Sequence, residues 1–354
     1  MLPATSITEL LAIRHPVLQA PMAGAATPQL AAAVSAAGGL GALGSAVLSP
    51  DELRREVEVF RARTDAPLHI NFFCHAPAEA TDELAERARD GIAPLYAERG
   101  LGEPPQPDPD ETRFDDARLS AVLEIRPAVA SFHFGLPAAT AVDAIRGAGI
   151  RVIAAATTVA EAVRLRELGA DAVIAQGAEA GGHRASFLVS GDDGPIGTLA
   201  LVPQVVDAVD VPVIAAGGIA DGRGLAAVLA LGAGAAQIGT AFLACPESGI
   251  DPAHREAVLG TPAEATTITR AFSGRPARAV HNRVSKALAG EAVLPFPLQR
   301  SLTRPLADGD DPEQVLSMWL GQAAPLAAER PAGEVVEALI AGAERALAGL
   351  SPPA

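Results

Sequence analysis

At 354 residues, with 49% hydrophobic and 19% charged side chains, the chain has material for a large buried core and no compositional mark of disorder. Its 27 basic and 42 acidic residues leave a net charge of −15, a field that repels phosphate backbones and anionic lipid and argues against nucleic-acid or membrane partners. The two cysteines, Cys74 and Cys245, show neither metal-ligand spacing nor the makings of a disulfide framework, so a cytoplasmic protein is expected.

The opening MLPATSITELLAIRHPVLQ lacks a basic start, an apolar stretch and a cleavage site, so no secretory leader is expected. The first strand is predicted at 16–20, running into QAPMAG and a helix over 28–37. A strand at 40–43, a helix over 51–62 and a strand at 68–73 follow. The interval 76–118 breaks the rhythm and reads as an excursion with helices of its own and the Pro-rich loop GLGEPPQPDPD. Regular alternation resumes with strands at 128–132 and 151–155 and helices over 138–147 and 159–168. In the latter helix Thr158 and Glu161 fit a capping box, and Gly169 stands where a C-cap belongs. A strand at 172–175 leads into the long loop 176–197, then a helix over 199–209, a strand at 211–215, the glycine pair of AAGGIADGRG, a helix over 223–231 and a last strand at 236–238. From about Cys245 onward no strand pattern is visible, and mostly helices are expected.

Runs such as RVIAAAT and VPVIAAG are apolar on successive residues, as in strands buried on both faces beneath helices. Eight such units predict an α/β fold, a (β/α)8 TIM barrel, with an open doubly wound sheet as the alternative. The expected division is a barrel over 1–75 and 119–244, the excursion 76–118, and a mostly helical region 245–354 over the barrel mouth.

Active sites of such barrels lie at the C-terminal ends of the strands, where the unusual segments of this chain fall. The glycine-bearing loops after the last two strands, AAGGIADGRG and QIGTAF, leave backbone amides to hold a phosphate. Among seven histidines, His15, His254 and His281 have polar neighbours and read as surface groups. His69 reads as a satisfied core residue, and His75, near the mouth, stays unassigned. His133, at a strand end in SFHFGLP, and His183, behind Gly181 and Gly182 in AQGAEAGGHR, are poorly placed for core packing and well placed for acid–base work near neutral pH. Cys74 reads as a buried thiol. No G-x-S-x-G elbow, H-E-x-x-H pair or cysteine cluster is present, so no metal is expected.

In combination and in order, QAPMAGAATPQLAAAVSAAGGLGALG, HINFFCH, SFHFGLP, AQGAEAGGHR, VIAAGGIADGRG, AQIGTAFL and SMWLGQAAPLA resemble the nitronate monooxygenases, formerly called 2-nitropropane dioxygenases, over essentially the whole chain. The resemblance implies an FMN enzyme that oxidises alkyl nitronates with O2 to a carbonyl compound and nitrite, acting as a monomer or homodimer. By position it implies Met22, Ala23 and Gly24 lining the flavin, Asn71 bonding its ring or ribityl part, and Gln176 its edge. Gly181, Gly182, Gly217, Gly218, Gln237, Ile238, Gly239 and Thr240 would contact the ribityl chain and phosphate. His183 would be the base toward neutral nitroalkanes or an electrostatic partner of the nitronate, with His133 a second polar group. Where relatives often carry tyrosines, LPFPLQRSLTR has Phe296, and the single tyrosine is Tyr96. GGHRAS also has Ala185 where glycine is common. Two rivals are an NAD(P)H-dependent flavin reductase of a quinone or enoyl thioester on the same scaffold, and a catalytically silent flavin- or phosphate-binding protein.

Overall fold

The computed structural model describes residues 2–108, 112–189, 194–308 and 314–350. The end of the Pro-rich loop, part of the 176–197 loop and short pieces of the C-terminal region lie outside the described residues. The strands in chain order are β1 (Val17–Gln19), β2 (Gly41–Gly44), β3 (Leu68–Phe73), β4 (Val129–His133), β5 (Arg151–Ala156), β6 (Ala172–Gln176), β7 (Gly182–His183), β8 (Val213–Ala216), β9 (Ala235–Ile238), β10 (Thr266–Thr269) and β11 (Ala277–Val280).

Eight of them pair in parallel in the order β1-β9-β8-β6-β5-β4-β3-β2. The end strands β1 and β2 meet at a parallel bridge between Leu18 and Leu40, where Leu40 N donates to Val17 O (3.0 Å) and Gln19 N to Leu40 O (2.9 Å). The ring closes there, which excludes the open sheet: the fold is the expected (β/α)8 barrel. Alternation along each strand divides its side chains. Leu43, Ile70, Phe72, Val152, Val173 and Val213 join the core beneath the helices, whereas Leu18, Leu40, Val129, Ile153 and Ile214 fill the barrel. Ile7 and Leu11 of the short helix Ser6–Leu11 join the inner cluster, and Thr5 Oγ1 donates to Gly234 O just before β9, so this helix plugs the N-terminal end.

Close packing of β2 on the helix Pro28–Ala36 depends on one missing side chain. A Cβ on Gly41 would lie 1.9 Å from Ala31 O. Gly41→Ala is therefore expected to destabilise the barrel by about 3 kcal/mol, read as a lower denaturant midpoint at unchanged slope.

Two expectations need correction. Thr158 caps the helix Val159–Glu167 by accepting from Glu161 N (3.2 Å), but Glu161 does not complete the box. Its fully buried carboxylate instead accepts from Thr157 N and Oγ1 (2.7 and 2.8 Å) and from Phe187 N and Leu188 N (2.6 and 3.0 Å). The region after Cys245 also contains strands: β10 and β11 pair antiparallel, and β11 pairs antiparallel with β7, the two-residue strand that carries His183. Each is too short, and β10 too polar (TTIT), to stand out by periodicity. The helix Asp82–Glu98 of the excursion shares a hydrophobic cluster with this region, its Ile92 and Tyr96 packing among Phe272, Leu288, Leu298 and Leu302.

Candidate active site

A cavity of about 620 Å3 opens at the C-terminal rim of the barrel, within the roughly 300–1,000 Å3 usual for ligand sites. All the residues expected to contact the flavin or the substrate line it except Ile238. The Ile238 side chain points the other way along β9 and is 1% exposed in the core beneath the helices.

Glycines let several loops converge on this cavity. A Cβ on Gly181 would come within 2.6 Å of Gly321 N, and one on Gly177 within 1.9 Å of Thr198 Oγ1. Gly217 and Gly218 adopt φ of +111° and +70°, conformations that side chains disfavour. Gly321 N donates to Thr240 Oγ1 at 3.0 Å, tying the loop after Trp319 to the end of β9. Glu179 takes the N–H of Thr198 at 3.0 and 2.9 Å and its hydroxyl at 2.8 Å, fixing the start of the helix Thr198–Ala208.

His183 is set by three neighbours. The pairing of β7 with β11 fixes its backbone, aligning it with Ala277. Gln176 grips the same segment, its Nε2 donating to His183 O (2.9 Å) and its Oε1 accepting from Ala185 N (2.9 Å). Both ends of that amide help hold the histidine loop, and one Nε2 proton and one Oε1 lone pair are left over on the cavity side. His133 donates from Nε2 to His183 O at 3.1 Å, since a carbonyl only accepts, which fixes the His133 tautomer. The His183 ring meets the buried hydroxyl of Ser273 through Nε2 (2.9 Å) and lies among Trp319, Phe296, Phe134 and Phe73, with ring centroids 5.0–6.2 Å away.

This apolar box sets the protonation state. Desolvation, then the charges of His133, Arg275 and Arg300, push the His183 pKa down to about 3. Desolvation likewise brings His133 to about 4 and the interior His69 to about 3. The resting site thus presents neutral imidazoles, able to take a proton, and no standing histidinium. All three fold as groups that refuse a proton the unfolded chain accepts near pH 6.5. Their contribution to stability is whole above that pH and is lost as pH falls toward the folded values. Urea midpoints measured across pH 7 to 4 should decline steadily; a flat profile would contradict neutral burial.

Sequence reasoning missed other parts of the wall. Ser131, Trp319 and Glu179 line the cavity, and Ser273 holds His183. Trp319 and Gly321 belong to the WLGQ motif, which carried the resemblance without a role. His254, expected at the surface, also lines the cavity, with its Nε2 buried and without a partner. His281 is exposed and His15 partly so, as read. His75 is buried, bonded to Ala76 O (2.9 Å) and Thr112 Oγ1 (3.1 Å), outside the cavity. His69 is in the core, but only its Nε2 is satisfied. Burial raises the Cys74 thiol well above its ordinary pKa, as suits an inert group.

Comparison with known proteins bears directly on this arrangement. The sequence profile described as nitronate monooxygenase matches residues 4–342. The chain belongs to the nitronate monooxygenase family. It is 46% identical over 347 residues to a nitronate monooxygenase of Pseudomonas aeruginosa, covering 94% of this chain and 97% of that one. A nitronate monooxygenase of Paraburkholderia phytofirmans is 44% identical over 349 residues, covering 94% and 93%. Among solved structures, a nitroalkane oxidase from Streptomyces ansochromogenes superposes with a TM-score of 0.90 at 40% identity, covering 98% of this chain and all of that one. FabK from Thermotoga maritima superposes at 0.77 with 32% identity, covering 99% of each.

Membership in the nitronate monooxygenase family makes the chain a flavin-dependent oxidoreductase, with a nitronate and O2 as the substrates it implies. The cavity suits a flavin. Gln237 Oε1 is a buried acceptor on its wall with no partner in the protein, the floor is small and apolar at Ala155, Ile174 and Ala216, and glycine backbone crowds one end. Phe296 packs 5.4 Å from the His183 ring, and the single tyrosine, Tyr96, is buried, donating to Leu302 O at 2.7 Å. Among the described residues no helix is long and apolar enough to cross a membrane.

Proposed function

We propose that the chain oxidises alkyl nitronates, and neutral nitroalkanes after proton removal, to a carbonyl compound and nitrite, with FMN as the flavin. The observation that carries this reading is the half-buried imidazole of His183, held by Ser273 among aromatic rings and facing a flavin-sized cavity between glycine loops. Gly217, Gly218, Gly239 and Thr240 would hold the phosphate, and Asn71 and Gln237 the polar parts of the ring or ribityl chain. Bound FMN supplies the electron acceptor and the route to O2. His183, neutral at rest, takes the α-proton of a neutral nitroalkane, and the negative charge that develops on the adjacent nitro group offsets the cost of forming an imidazolium among Phe134, Phe296 and Trp319. A nitronate arrives already deprotonated and can give up one electron without that step. Its negative charge raises the affinity of the adjacent imidazole for a proton, so the same residue serves as its hydrogen-bond partner. His133, tied to the His183 carbonyl, keeps the base in place. The excursion 76–118 and the region 245–354 act together as a cap over the barrel mouth.

The purified protein should show flavin absorbance, consume oxygen with propionate 3-nitronate and release nitrite. Rapid anaerobic bleaching by NADH or NADPH, with no response to the nitronate, would transfer the chain to the reductases.

A further inference from the structure

The floor of the cavity is the interior of the barrel, and a chain of three polar side chains enters it from below. Ser131 on β4 stands in register with Asn71 on β3. Asn71 Nδ2 donates to Ser131 Oγ at 2.8 Å, and His69, two residues earlier on the same face of β3, meets that oxygen through Nε2. Asn71 and Ser131 line the cavity; His69 lies beneath them, fully buried, and its Nδ1 has no partner.

A hydroxyl has one proton and two lone pairs. If His69 carried its proton on Nδ1, Ser131 would donate to Nε2, and an N–H would be stranded in an apolar interior beside Val129. If the proton sits on Nε2, both His69 and Asn71 donate to Ser131, and the unmatched atom is a bare lone pair on Nδ1. Buried N–H groups without acceptors are rarer than under-used acceptors. Burial also keeps the ring neutral, so both nitrogens cannot be protonated. The second arrangement follows. Ser131 then has both lone pairs filled and its proton left over, at the floor of the cavity.

We infer that Ser131 is a flavin-binding residue, donating its hydroxyl proton to an acceptor on the bound flavin, and that His69 is the positioning residue that fixes the direction of that donation. The inference rests on the flavin reading above and adds to it a contact and a device behind the contact. Asn71 shares the device, since its amide nitrogen is spent on Ser131 and its carbonyl oxygen is thereby turned away from that serine.

The first test is the tautomer: nitrogen-15 NMR of histidine-labelled protein should find His69 protonated on Nε2, and a proton on Nδ1 overturns the proposal. The second reads the cofactor. Ser131→Ala should weaken FMN binding by about tenfold and lower the flavin reduction potential, because a lost donor favours the electron-poor oxidised form. His69→Phe fills the same space without reaching the cavity. It should move the potential in the same direction, and the double variant should shift no further than Ser131→Ala alone. A His69→Phe protein that loses stability but keeps the original potential and FMN affinity reduces His69 to a packing residue and overturns the proposal. Should that variant fail to fold, the tautomer and the Ser131→Ala potential still decide. FMN uptake with an unmoved potential in Ser131→Ala sinks this inference alone, whereas no FMN uptake by the parent protein sinks it together with the functional reading.

Discussion

His183→Asn is expected to retain FMN yet to lose turnover of neutral nitroalkanes by about a hundredfold or more, the usual share of a general base. Turnover of preformed nitronates should fall much less, since the proton has already gone and asparagine can still offer a hydrogen bond. Both halves follow from the geometry: the side chain is held by Ser273 and ringed by aromatics, while its backbone is fixed by β11, Gln176 and His133, none of which needs the imidazole. Steady-state rates on the neutral and anionic forms of one substrate provide the measurement. Equal losses on both would assign His183 to binding, and no loss on either would remove it from the mechanism.

Glu161→Ala should rank with the most destabilising single changes in the chain, costing about 3 kcal/mol or more. The carboxylate is fully buried and has four donors to satisfy, two from the buried Thr157 and one each from the backbone of Phe187 and Leu188. Nearby Arg184, 2% exposed and driven down to about 10 by burial, would also lose the negative charge that supports its guanidinium. Because Phe187 and Leu188 lie four and five residues beyond His183, the loop carrying the base should loosen as well. Denaturant unfolding checks the first effect. Hydrogen exchange at the amides of Phe187 and Leu188 checks the second, and protection unchanged from the parent would show that the loop is held without Glu161. Glu161→Gln should recover little, since its amide nitrogen would face donors where an oxygen now accepts.

The barrel was legible in the sequence because a strand buried on both faces leaves a plain mark, a short run of Val, Ile and Ala closed by small residues. The strand ends were legible for a related reason, as glycines clustered wherever backbones had to approach. What escaped notice lacked any local pattern. Ser131 is an unremarkable serine inside a strand, and only the neighbouring strand reveals what it touches. His254 follows Asp251 and precedes Arg255, neighbours that suggest solvent, although its position on the helix Pro252–Gly260 turns one ring nitrogen inward. Gln176 was recognised by position, but its partners depend on a turn that returns seven to nine residues later. The Thr158–Glu161 spacing matched a familiar cap, yet tertiary donors from the 187–188 backbone won the carboxylate. Ile238 was included for lying between two cavity residues, and strand alternation sends it to the opposite face.

The short antiparallel sheet places the proposed base outside the eight-fold repeat of the ring. Two registers must agree for the imidazole to stand where it does: one set by the barrel through Gln176, the other by a ribbon contributed more than eighty residues downstream. The scaffold that would grip the coenzyme and the part that would aim the proton acceptor thus come from separate segments of the chain. Exchanging the ribbon and its flanking turns between relatives should retune which nitro compounds are accepted while leaving the coenzyme's grip intact.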